Sequence, residues 1–116
     1  MKRPEQQLQR AVVEHLSWRA APGVFFFHVP NGGWRSRVEA SIFKAMGVRA
    51  GIPDIIALRQ GAAFAMELKA PGGRLSPTQI ACHEAMRLAG ATVETVSDID
   101  TAIDLLLAWG IIGGGR

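Results

Sequence analysis

The chain has 116 residues, 48% of them apolar and 20% charged, the balance of a folded domain and outside the range of disordered chains. Its net charge of +3 and pI of about 9.8 are compatible with a polyanionic partner without requiring one. The single cysteine, Cys82, excludes an intrachain disulfide, and a charged N-terminus with no apolar segment long enough to span a bilayer points to a reducing cytoplasm and no membrane partner.

Residues 4 to about 20 predict a helix, with Pro4 at a tolerated early position and Leu8, Val12, Val13 and Leu16 at helical spacing. Gly23 ends it. Val24 to Val29, apolar on both faces, reads as a strand, and Pro30-Asn31-Gly32-Gly33 as a turn. Ser36 with Glu39 forms a capping box opening a helix that stops near Gly47. Ile55 to Leu58 and Ala62 to Leu68 are two apolar strands joined around Arg59-Gln60-Gly61, a hairpin. Ser76-Pro77-Thr78-Gln79 is a second capping box, and its helix runs to Gly90. Ala91 to Val96 is a further strand, and Ser97 or Asp98 caps a last helix ending near Trp109. Residues 110 to 116 read as a frayed tail. The order predicts one α/β domain over residues 1–116, with its core at about 4–109 and helices on both faces of a mixed β-sheet.

Charges inside apolar strands carry the chemistry. With Gln60-Gly61 as a two-residue loop, the hairpin register places Asp54 opposite Glu67, where Cβ atoms lie about 5 Å apart. Lys69, two residues past Glu67, projects from the same face. Two close carboxylates repel, and one would take up a proton unless a cation lay between them. Mg²⁺ suits such a pair, because it binds oxygen ligands and commonly takes one or two carboxylates, water and phosphate. Lys69 beside it would hold or activate water, a constellation suited to phosphodiester hydrolysis. On the first helix, Glu5 falls within the arc of Leu8, Val12, Val13 and Leu16, whereas Glu14 faces solvent. Glu5 is therefore expected to reach the site.

These residues resemble a known family. Gly51-Ile52-Pro53-Asp54 followed by Glu67-Leu68-Lys69 looks like the PD-(D/E)XK restriction-endonuclease-like core. Glu5 with Gln9, Asn31-Gly32, Gly47-Val48-Arg49-Ala50-Gly51 and Gly73-Arg74-Leu75-Ser76-Pro77-Thr78-Gln79 make the whole similar to the virus-type replication-repair nuclease (VRR-NUC) domain. The resemblance implies an αβββαβ core and an Mg²⁺-dependent DNA endonuclease, with Mn²⁺ able to substitute. It implies a metal held by Asp54, Glu67 and the Leu68 carbonyl, with Lys69 catalytic, Glu5 as the first-helix acid and Gln79 as the glutamine after the core. Stand-alone members in bacteria and their viruses resemble Holliday-junction resolvases and tend to be homodimers, which suits two symmetric cuts.

Plainer readings stand beside these. Pro53-Asp54 could be a turn before a strand, and Lys69 could form a structural ion pair with one acid, leaving the other acid unexplained. Glu5 could be a dipole-favoured early acid. Gln79 completes the Ser76 capping box and could be structural, catalytic or both. Arg35, Arg37, Lys44, Arg49 and Arg74 could meet phosphates or form ordinary solvated surface. Asn31 and Gly32 could contact DNA or only turn the chain, and Trp34 could stack on a base or pack in the core. His15, His28 and His83 have no metal-ligand spacing and are assigned no ligand role. Alternatives to junction cleavage are a flap, nicking or end-processing nuclease, a non-cleaving DNA-binding module, or an assembly protein using Leu105 to Ile112 as its contact.

Overall fold

The apolar pattern of the strands fixes how the elements stack. In the protein's structure, a computed structural model describing residues 4–30 and 36–113, the elements are α1 (Pro4–Arg19), β1 (Phe25–His28), α2 (Arg37–Ala45), β2 (Ile55–Arg59), β3 (Ala62–Leu68), α3 (Pro77–Leu88), β4 (Thr92–Val96) and α4 (Ile99–Ala108). The strands form one sheet in the order β1-β2-β3-β4. The first two pairings are antiparallel and the third is parallel, its crossover made by α3. The mixed sheet is as expected.

The β2–β3 turn has the residues it needs. Gln60 and Gly61 both adopt positive φ, 49° and 81°, as in the two-residue turns whose twist matches that of antiparallel strands. The register follows, with Arg59 opposite Ala62 and Ile55 opposite Met66, and its next step sets Asp54 opposite Glu67.

Alternation then divides the sheet into two unlike faces. Ile55, Ala57, Met66, Leu68 and Val96 face α1 and α4, where Leu8, Val12, Leu16, Ala102 and Leu106 complete an apolar core. Ala65, Glu67 and Val93 lie on the other face, toward Cys82 and His83 of α3. That second face is covered unevenly. Phe25, Phe27 and Leu58 stay 64%, 41% and 41% exposed, because α3 packs on β4 at the opposite end of the sheet. Helical cover thus falls short of β1.

Capping follows the residue pattern. The hydroxyls of Ser36 and Ser76 accept from the N–H groups of Glu39 and Gln79, and those side chains return hydrogen bonds from the serine N–H groups. Asp98, not Ser97, caps α4 by accepting from the Thr101 N–H and hydroxyl. These bonds hold its carboxyl below the ordinary carboxylate range. One expectation is corrected. Residues 110–113 are not frayed: Gly110 turns with φ 73°, Ile111 and Ile112 are buried in the core, and Gly113 donates to the Arg19 carbonyl. Leu106, Ile111 and Ile112 are consumed inside the chain, which removes most of the expected Leu105–Ile112 contact surface. Among the described residues no helix is long and apolar enough to cross a membrane.

Gly51 locks the loop carrying Asp54 onto α3. Its φ is 86°, and a Cβ there would lie 2.7 Å from the Thr78 carbonyl oxygen, one residue before Gln79. Gly51→Ala combines left-handed strain with a backbone clash and should destabilise the protein by about 2–4 kcal/mol. Urea unfolding of the variant beside wild type checks this, an unchanged midpoint being the contrary result.

Candidate metal and phosphodiester site

Glu67 is the anchor. It sits near the end of β3, between the sheet and α3, and is only 2% exposed. Two donors on one helical face meet it. His83 Nε2 is 3.0 Å from Oε1, and Gln79 Nε2 is 3.4 Å from Oε2. The Gln79 amide thus serves two purposes, since its oxygen also accepts from the Ser76 N–H at 2.9 Å.

Asp54 is placed by the backbone on both sides. Its Oδ2 accepts from the Leu68 N–H at 2.7 Å, a short bond of charge-assisted length. Its carbonyl accepts from the Val29 N–H at 2.8 Å and lies 2.9 Å from His28 Nδ1, which donates to it. The end of β1 therefore braces the segment that presents the carboxylate. Lys69 follows Leu68 and is secured by its N–H donating to the Val96 carbonyl at 2.9 Å.

Burial and crowding set the electrostatics of these groups. Burial pushes the Glu67 carboxyl up from its ordinary 4.5 to about 8, with repulsion from Asp54 and a hydrogen bond to it adding to the rise, and Lys69 partly opposing it. Burial also lowers His83 from its ordinary value, and the nearby Arg87 and Lys69 lower it further. Both partners lean to neutral, so the His83–Glu67 contact is a hydrogen bond rather than a salt bridge. A buried carboxyl raised this far beside a second acid fits a hard divalent cation, which would take the place of its proton. Among the described residues no group of three or more His, Cys, Asp or Glu side chains could hold a metal ion, so water and phosphate would have to complete the coordination of such a cation.

The expected residues divide clearly. Asp54, Glu67 and Gln79 converge, and Lys69 is close enough to act on Glu67. Glu5 is exposed but reaches the same strand end, where its Oε2 lies 3.4 Å from the Ala70 N–H. Lys44 and Arg49 line an open groove together with Ser76 and Gln79. Arg37 and Arg74 are exposed outside that lining. Asn31, Gly32, Trp34 and Arg35 lie outside the described residues. His28 and His83, which lack metal-ligand spacing in the sequence, contact the Asp54 carbonyl and the Glu67 carboxyl. The available signal for His83 was its place four residues after Gln79, on the same helical face.

The family model described as the VRR-NUC domain matches residues 3–97. A solved structure described as a VRR_NUC domain protein superposes with a TM-score of 0.76 at 24% identity, over 97% of this chain and 93% of that one. Another, described as a VRR_NUC domain, gives 0.62 at 22% identity, over 92% and 97%. No curated protein matches.

The raised Glu67 carboxyl predicts a pH-dependent stability without metal. A carboxyl raised on folding contributes fully below its unfolded value of 4.5, and that contribution is lost as pH rises through about 8. In EDTA, Glu67→Gln should melt close to wild type at pH 5 and progressively above it toward pH 8. Differential scanning calorimetry checks this, and a pH-independent gap would contradict the raised value.

Proposed function

The chain belongs to the VRR-NUC family, nucleases of the PD-(D/E)XK type that generally use a divalent metal, and on that premise we propose that it is an Mg²⁺-dependent DNA endonuclease selective for branched DNA such as Holliday junctions. The observation that carries this reading is the buried Glu67 carboxyl set against the half-buried Asp54, a crowding that raises Glu67 and that a cation would relieve. Asp54 and Glu67 would hold Mg²⁺, or Mn²⁺ in its place, together with the Leu68 carbonyl. When bound, the cation would offset phosphate charge and lower the pKa of water.

The chain's own groups supply the rest. Lys69 positions the attacking water and offsets charge developing on the phosphate. Glu5 accepts hydrogen bonds at the strand end and supports the hydration of the site. Gln79, tethered by its cap to Ser76, keeps one donor on Glu67 and lines the groove at the same time. Lys44 and Arg49 meet the DNA backbone from that groove, a contact that reads shape rather than base sequence. Two copies acting together would provide paired cuts on a symmetric junction.

A labelled four-way junction with Mg²⁺ should receive paired symmetric cuts, with a linear duplex left intact and EDTA abolishing the reaction. Lys69→Ala should lower the rate by about 10²- to 10³-fold, as for loss of a main charge-stabilising group. Absence of any cleavage by wild type in Mg²⁺ or Mn²⁺ removes the endonuclease reading. The groove has its own test. In a salt titration of junction binding, a Lys44→Ala, Arg49→Ala double variant should lower the logarithmic slope by about 2, roughly one per lost phosphate contact. An unchanged slope would return both residues to ordinary surface.

A further inference from the structure

Glu67 is held from a single helix face. Gln79 and His83 are four residues apart on α3, so their side chains emerge together. The shorter of their contacts is from His83, at 3.0 Å from Nε2 to Oε1. The ring is 1% exposed, and its Nδ1 is buried with no hydrogen-bond partner among the described residues. A proton on Nδ1 would be a buried donor with nothing to receive it, whereas a proton on Nε2 points at a carboxylate oxygen. The ring therefore donates from Nε2.

From this geometry we propose that His83 is a positioning residue of the nuclease site, its Nε2–H fixing the plane of the Glu67 carboxylate that would hold the cation. The proposal rests on the nuclease reading above and adds a residue to it. A neutral donor suits the task. It orients the carboxylate without cancelling its charge, whereas a lysine or arginine at this position would compete with the cation. Hydrogen-bonded supports of metal-ligating carboxylates are typically worth 10- to 100-fold in metal affinity or activity.

The test is Mn²⁺ binding by isothermal titration calorimetry on the full chain without DNA, with circular dichroism to establish folding. Glu67→Gln serves as the reference for loss of the site. His83→Leu removes the donor and should weaken binding by about 10- to 100-fold. His83→Met, also donorless, covers the case in which leucine does not fold. His83→Gln carries its amide nitrogen at the same remove along the side chain as Nε2 and should recover most of the affinity, which a purely space-filling role would not produce. Wild-type affinity in a folded donorless variant, or a glutamine variant as weak as leucine, overturns the positioning role while wild-type metal binding and cleavage keep the nuclease reading intact. Unfolding of both donorless variants with a native glutamine variant would assign the bond to the fold instead, which also overturns it. A wild-type protein that binds no Mn²⁺ and cuts no DNA overturns the nuclease reading itself, and this inference with it.

Discussion

The structure turns on one buried carboxyl. Glu67 occupies a position where an apolar residue would pack without penalty, and burying a charge there is costly unless it is paired and hydrogen-bonded. The chain supplies two donors from α3, yet sets Asp54 against it on the sheet side. Donors alone do not settle such a pair, because the carboxyls still repel and one must keep a proton. On the proposed reading, a divalent cation would complete this set of protein groups. The set is stable enough to exist, and a cation would improve it.

Several local devices serve that carboxyl. The hairpin turn sets the register that brings Asp54 opposite it. The Leu68 N–H takes one Asp54 oxygen, and the end of β1 takes the Asp54 carbonyl. Gly51 lets the preceding loop touch the backbone of α3 at Thr78, so that loop, sheet and helix are mutually referenced within a few residues of Gln79. The Ser76 capping box then fixes the rotation of α3, and with it the direction of both Gln79 and His83. Errors in any of these would move the same two carboxylates. This explains why the motif residues include glycines and a helix cap beside the groups suited to chemistry.

Much of this was legible in the sequence because it is local. Two-residue turns fix register, capping boxes span three residues, and helical rotation puts Glu5 within the apolar arc, so Asp54, Glu67, Lys69 and Glu5 follow from short-range rules. His83 did not follow. Its partner is sixteen residues away on another element, and a lone histidine is uninformative until the face opposite it is known. The chain after Gly110 misled for the opposite reason. Glycine marks a helix end correctly, but whether the chain beyond it frays depends on a distant pocket, here formed beside Ala20 and Arg19. The run of three phenylalanines was also ambiguous. Alternation sends Phe26 into the core and Phe25 and Phe27 outward, but nothing in the run says which face the helices leave uncovered.

The division of labour between the two sheet faces explains how a strained polar site can coexist with a stable fold. The core between the sheet and the α1–α4 layer is built of apolar side chains, down to Ile111 and Ile112 closing its edge. That face can hold the molecule together whatever happens opposite. The other face carries α3, a buried acid and an imidazole nitrogen that has no hydrogen-bond partner among the described residues. Because β3 contributes Met66 and Leu68 to one face and Glu67 to the other, the strand that holds the core also holds the site at a fixed height above it. The repulsion between Asp54 and Glu67 is thus borne by a strand that cannot yield without disturbing the core. Such rigidity keeps the two carboxyls close while Glu67 keeps its proton.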